Sequence, residues 1–122
     1  MIKIVFCLRR RPNLSFEDFD RYWRDRHGPL VAGFSKVLRI RRYVQSSRLT
    51  NDLADMAASI RDAPAPYDGV AELWFESWDD LRAGFETDAG RAAGRALLED
   101  ERNFIDLANS PIFFTEEREL VG

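Results

Sequence analysis

One cysteine and one histidine are the only thiol and imidazole side chains in the 122 residues. Cys7 therefore cannot close an internal disulfide or join a cysteine metal cluster. A metal site would have to be assembled from carboxylates around His27, and no recognisable ligand spacing surrounds it. No apolar run approaches the ~18 residues needed to span a bilayer, so no membrane association is expected. Neither sign of charge dominates, with 18 basic against 21 acidic residues, and this balance gives no electrostatic case for nucleic acid. Glycine-rich phosphate loops and haem attachment motifs are missing too, and no cofactor is expected. The opening MIKIVFCL does not read as a secretory signal: its basic cluster, Arg9–Arg11, follows the apolar run, and no small-residue cleavage site comes next. The expectation is a cytoplasmic protein.

What remains is an ordinary globular balance, 45% hydrophobic and 32% charged, over a length that suits a single domain, residues 1–122. Such a chain buries roughly two-thirds of the surface it exposes when unfolded. Ile2, Ile4, Phe6 and Leu8 alternate with Lys3, Val5, Cys7 and Arg9, the period of a strand. Ser15 with Asp18 gives a capping-box-like helix start, and Phe16, Phe19 and Trp23 follow at helical spacing. A second strand is expected over about Val37–Ser47, with Leu38, Ile40 and Val44 on one face and Arg39, Arg41 and Tyr43 on the other. Arg42 interrupts the alternation, as a bulge or a two-sided strand would. Residues 49–66 read as an inserted short helix or a mobile loop: Leu53, Met56 and Ile60 have helical offsets, and Pro64 and Pro66 end the pattern.

Gly69–Glu76 is the third strand, with Ala71, Leu73 and Phe75 opposed to Val70, Glu72 and Trp74. Ser77 and Asp80 cap a helix containing Trp78, Leu81 and Phe85, and Leu97, Leu98, Phe104 and Ile105 continue helical spacing beyond Gly84, Gly90 and Gly94. A last strand is expected over Ile112–Leu120. This order is that of a ferredoxin-like α+β domain, a split βαβ with a four-stranded antiparallel sheet. Helices on one face leave the other bare, with Val5, Cys7, Val70 and Trp74 among its residues. A bare apolar face needs a partner, and a homodimer supplies one.

His27 is the sharpest chemical feature. Measured at about 100° per residue from Phe16, Trp23 lies about 20° to one side of the apolar stripe, His27 about 20° to the other, and Phe34 in line. The ring therefore points at the sheet, just before Gly28-Pro29, where a proline without an N–H should kink the helix. Two readings follow: a ring that plugs the kink by bonding a backbone carbonyl, or an acid–base group in a half-buried cleft.

Tyr43 is either a pocket hydroxyl or a strand residue with its tip in water. Glu72 is either a carboxyl tuned by burial or the partner of a cross-strand arginine. Arg39, Arg41 and Arg42 can grip a carboxylate, but pairing with Glu116, Glu117 and Glu119 accounts for them as well. Trp23 and Tyr22 are aromatic pocket walls in a functional reading, and core and surface in a structural one.

The run Phe19-x-x-Tyr22-Trp23-x-x-x-His27-x-Pro29-Leu30-Val31, followed by a strand containing Arg42, Tyr43 and Gln45, resembles the EthD family of the dimeric α/β-barrel superfamily. Asp68–Ser77 resembles that family's third strand and helix cap, and only residues 49–66 fall outside the likeness. The resemblance implies a homodimer of ferredoxin-like sheets packed face to face, with a pocket in each protomer between sheet and helices. It also implies kinship with cofactor-free lactone isomerases, polyketide cyclases and decarboxylases, quinone-forming monooxygenases and proteins of ether degradation operons.

In the EthD-like methylisomerases the histidine of H-x-P and a tyrosine of the next strand are catalytic, and these map onto His27 and Tyr43. The further histidine and cysteine of those enzymes have no match, because there is no second histidine and Cys7 stands on the first strand. Two functions are thus in view. One is a cofactor-independent enzyme of catabolic or polyketide-type metabolism that transfers protons (isomerisation, cyclisation or decarboxylation) on a small cyclic or aromatic-like substrate, with His27 and Tyr43 catalytic and Trp23, Tyr22 and Glu72 binding. The other is a non-catalytic dimeric protein that binds a small hydrophobic ligand in an EthD-type degradation pathway.

Overall fold

The computed structural model describes residues 1–122. Its sheet has the strands β1 (Ile2–Leu8), β2 (Arg42–Ser47), β3 (Gly69–Phe75) and β4 (Ile112–Thr115) in the spatial order β2-β3-β1-β4, all pairs antiparallel. This is the ferredoxin-like α+β arrangement that the order of elements predicted. Ile4 pairs with Leu73 and Phe114, and Tyr43 also pairs with Leu73, which puts all four on one face. Lys3, Val5, Cys7, Val70, Glu72, Trp74, Arg42 and Val44 share the other.

The helices cover the first of these faces. Helix α1 (Phe16–Tyr22) starts where the Ser15 hydroxyl accepts the Asp18 N–H at 3.1 Å. It then widens into a π-helical turn, Trp23–His27, before continuing as α2 (Gly28–Gly33) and the short α3 (Ser35–Leu38). Two clusters form the core. Phe6, Leu8, Phe19, Trp23, Ala71, Phe104 and Ile105 pack at one end of the sheet, and Ile2, Val31, Leu38, Ile40, Phe75 and Ala93 at the other. Helix α5 (Trp78–Phe85) is capped by the Ser77 hydroxyl on the Asp80 N–H, and α6 (Asp88–Glu101) by Thr87 on the Gly90 N–H. A Cβ at Gly90 would collide with the Gly84 carbonyl oxygen, so glycine there is what lets α6 turn back against α5.

Several expectations change. Residues 37–41 are not strand: Leu38 closes a helical turn, Arg39 adopts the left-handed conformation at φ 60°, and the strand begins only at Arg42. The alternation of Leu38 and Ile40 comes from that reversal, which buries both without a pleat. Tyr43 therefore lies on the helix-covered face and Val44 on the bare one, the reverse of the pleat first assigned. The last strand stops at Thr115 instead of Leu120. The segment read as helix or loop contains a helix, α4 (Asp52–Ile60), capped by Asn51 on the Ala54 N–H and with none of its residues buried.

The bare face is mixed, not purely apolar. Lys3 donates to Glu72 at 2.6 Å, Lys3 and Arg42 lie over the Trp74 ring, and the Trp74 indole N–H donates to Glu117 at 2.5 Å. Val5, Cys7, Val44 and Val70 stay half-buried around this cluster, and Phe113 is exposed.

Candidate functional site

Pro29 does not break the first helix. Gly28 keeps helical angles, φ −54° and ψ −52°, and the chain absorbs the proline by widening the preceding turn, so that the Gly28 N–H reaches back to the Trp23 carbonyl. The side-chain amide of Gln45 donates to the same carbonyl at 2.9 Å. A Cβ at Gly28 would press on that amide at 3.1 Å, so the glycine makes room for a tie between helix and β2. The Gln45 amide also donates to the Tyr43 hydroxyl oxygen at 2.8 Å. Tyr43 is thereby a satisfied acceptor whose own proton is free to be donated.

The wide turn places His27 inside, 5% exposed, with its ring 5.0 Å from that of Phe104. Nδ1 lies 2.7 Å from a carboxylate oxygen of Asp100 on α6, whose other oxygen accepts the Tyr22 hydroxyl at 2.5 Å. An ionised Asp100 fixes the ring proton on Nδ1 and leaves Nε2 as the basic nitrogen, turned toward a Glu101 oxygen at 4.0 Å. Burial pushes the His27 pKa down and outweighs the opposing Asp100 bond, so the ring is neutral at neutral pH. For Asp100, burial raises the pKa, but the bonds from Tyr22 and His27 prevail and hold the carboxyl below its ordinary value. Glu101 has no such donors. Burial, and then the Asp100 charge, raise its pKa to about 7. Burial likewise pushes the Tyr43 phenol up.

These groups face two adjoining spaces. His27, Tyr43, Trp23 and Glu101 line a cleft of about 50 Å³ with Phe6, Leu73 and Leu97. A larger cavity of about 480 Å³ opens beside it, between the sheet and helices α3, α5 and α6, and Phe6, Leu73, Leu97 and Glu101 line both. Its walls are otherwise mostly apolar, including Ile4, Leu38, Phe75, Leu81, Phe85 and Ile112.

Of the residues singled out by sequence, His27, Tyr43 and Trp23 come together. Tyr22 does not reach the cleft. It braces Asp100 from the outside, where Asn103 donates to its hydroxyl at 3.2 Å. Glu72 is corrected outright: it stands on the opposite face of the sheet, paired with Lys3, and cannot line this pocket. Arg39 pairs with Asp80 at 2.7 Å and Arg41 with Glu76 at 3.1 Å, acids of the β3–α5 corner and not of the last strand. Asp100 and Glu101 went unnoticed in the sequence. Glu101 was findable, since it follows Ala93 and Leu97 at successive i,i+4 steps along the buried side of α6.

The sequence pattern of the EthD domain matches residues 11–108, which is most of the chain. The chain belongs to the EthD family. The match runs across residues 49–66 as well, the segment that the motif resemblance left out. No curated protein matches this EthD chain. Among solved structures it is similar to an EthD family protein from Bacillus halodurans, with a TM-score of 0.63 at 19% identity over 97% of this chain and 99% of that one. A dimeric protein of unknown function and ferredoxin-like fold from Bacteroides fragilis matches with a TM-score of 0.59 at 10% identity over 95% of each. SnoaB, a cofactor-independent oxygenase from Streptomyces nogalater, matches with a TM-score of 0.57 at 12% identity, over 98% of this chain and 95% of that one. At these identities the likeness is one of fold.

Proposed function

We propose that this EthD-family chain is a small cofactor-independent enzyme that moves a proton in isomerising, cyclising or decarboxylating a small cyclic or aromatic-like substrate, and that it works as a homodimer. The observation that carries the reading is the orientation of His27: Nδ1 is anchored on Asp100 at 2.7 Å, and Nε2 is left basic in the cleft that Tyr43 also lines. Glu101 joins this cleft to the larger cavity, and its pKa of about 7 leaves it able both to give and to take a proton at neutral pH. In the proposed step a C–H or O–H proton of a molecule in the larger cavity passes to Glu101 or His27 Nε2. The Tyr43 hydroxyl donates to the oxygen on which negative charge develops, and the proton returns at another atom. Dimeric relatives with this fold support the assembly, in which the bare sheet faces meet.

The test is proton exchange. Candidate lactones, β-keto compounds and cyclic ketones are incubated with the protein in deuterated buffer, and label uptake is followed by mass spectrometry. Catalysed uptake that His27→Gln lowers by about 100-fold or more supports the reading. Uptake unaffected by that substitution refutes it.

A second reading is favoured by the tightness of the cleft at His27, about 50 Å³, and by the satisfaction of Nδ1 on Asp100. In this reading the protein is a dimeric ligand-binding or accessory protein, and the His27–Asp100–Tyr22 chain is a brace between the first helix and α6. His27→Gln would then lower the melting temperature and leave ligand binding and its pH dependence unchanged.

A further inference from the structure

The larger cavity has a chemical polarity that the proton chemistry does not use. Eleven of its fifteen lining residues are hydrophobic, and the charged ones are Arg91, Arg95 and Glu101, all on α6. The shallow groove continuing from its mouth past Ile112 and Phe114 adds Arg82 and Glu86. The cations differ in how they are held. Arg91 pairs with Asp88 and donates to the Phe85 carbonyl, and Arg82 pairs with Asp79. Arg95 makes neither a hydrogen bond nor an ion pair with any group of the chain, yet its side chain lines an apolar space. An unpaired guanidinium at the rim of an apolar cavity is complementary to a carboxylate carried on an apolar body, which it grips with two parallel N–H donors.

Helix geometry sets the size of that body. Arg95 and Glu101 are six residues apart on one helix, which at 1.5 Å and 100° per residue separates them by about 9 Å along the axis and about 120° around it, with both still lining the cavity. A fused bicyclic aromatic with its carboxylate on Arg95 would reach the Glu101 end.

We propose that this cavity binds aromatic or alicyclic carboxylates about two rings long, with the carboxylate on Arg95 and the far ring beside Glu101. The inference rests on the proton-transfer reading only in calling the occupant a substrate. As a binding site it stands on the cavity and the unpaired cation.

The probes are 2-naphthoate and its neutral counterpart 2-naphthamide, titrated into the full-length protein at pH 7 and followed by calorimetry and by amide chemical shifts. Naphthoate should bind about tenfold more tightly than the amide, an advantage that shrinks as salt is raised because the cation is exposed. Arg95→Gln should abolish that preference while leaving amide binding unchanged. Shifts should concentrate at Gly94, Leu98 and Ile112, which line the cavity. Equal binding of the two probes, a preference that survives Arg95→Gln, shifts elsewhere, or no binding of either probe at millimolar concentration overturns the proposal. Binding as described with no proton exchange catalysed in any bound carboxylate would instead remove the enzymatic reading and leave this site intact.

Discussion

Replacing Glu101 by glutamine isolates the cost of holding an ionisable group between two apolar spaces. Its side chain is 19% exposed, close to the neutral ring of His27, the Asp100 carboxylate and the Tyr43 phenol, with Arg95 further along the same helix. Because its pKa rises from an ordinary 4.5 to about 7 on folding, the folded protein holds this proton more tightly than the unfolded chain does. The stability associated with Glu101 is complete below pH 4.5 and is lost as pH rises toward 7. At 1.36 kcal/mol per pKa unit the loss is about 3 kcal/mol. The glutamine side chain is always neutral, so Glu101→Gln should match wild type near pH 4.5 and exceed its unfolding free energy by about 3 kcal/mol above pH 7.5. His27 has the opposite sign. Its lowered pKa contributes stability above about pH 6.5 that is lost as pH falls, and in the variant this rise with pH is no longer offset. Urea denaturation at half-unit steps from pH 4.5 to 8.5, read by tryptophan fluorescence, measures both curves. Parallel curves, or a variant less stable than wild type at pH 8, would refute the account of a carboxyl destabilised by burial.

Gly90→Ala should lower unfolding free energy by about 2 kcal/mol or more, since a Cβ there meets backbone and not a movable side chain; a melting temperature within a degree of wild type would contradict the packing at the α5–α6 corner. Tyr22→Phe removes a hydroxyl from Asp100, so the Asp100 pKa should rise toward its ordinary value, visible by carbon-detected NMR titration. Light scattering at micromolar concentration should give about twice 14.1 kDa if the bare sheet faces pair, and a stable monomer would remove that assembly. Limited proteolysis should cut first within residues 49–66, where α4 buries none of its side chains, and early cuts inside β3 would contradict the sheet.

The strands β1 and β3 and the caps at Ser15 and Ser77 were legible because period-two alternation and a hydroxyl three residues ahead of an acid are local signals. The start of β2 was not. Leu38 and Ile40 show the same alternation as a pleat, and only the left-handed Arg39 between them reverses the chain. Glu72 was read correctly as facing away from Ala71 and Leu73, but which face carries the pocket is settled by helix packing far along the chain. Asp100 lies 73 residues from His27, so nothing local links the pair. A proline in the sequence announced a disturbance near His27 without saying what form it would take, because a kink and a widened turn both remove the clash.

The widened turn at Trp23–His27 gives the first helix one residue of slack in its length. It packs one residue more than an α-helical turn into the same revolution, so deleting one of the exposed Arg24, Asp25 or Arg26 would let the segment close to an ordinary α-turn. Phe19 and Val31 would keep a common face, because the revolution is retained and only its residue count changes. The cost falls on Pro29, whose ring the wide turn now accommodates: in a closed α-turn it meets the carbonyl four residues earlier, and the helix has to kink instead. Adding a residue to a uniform α-helical stretch has no such outlet, and at about 100° per residue it swings everything beyond it off the interior face. Variation between Trp23 and His27 is therefore free in kind and can lose one residue at the expense of a straight helix.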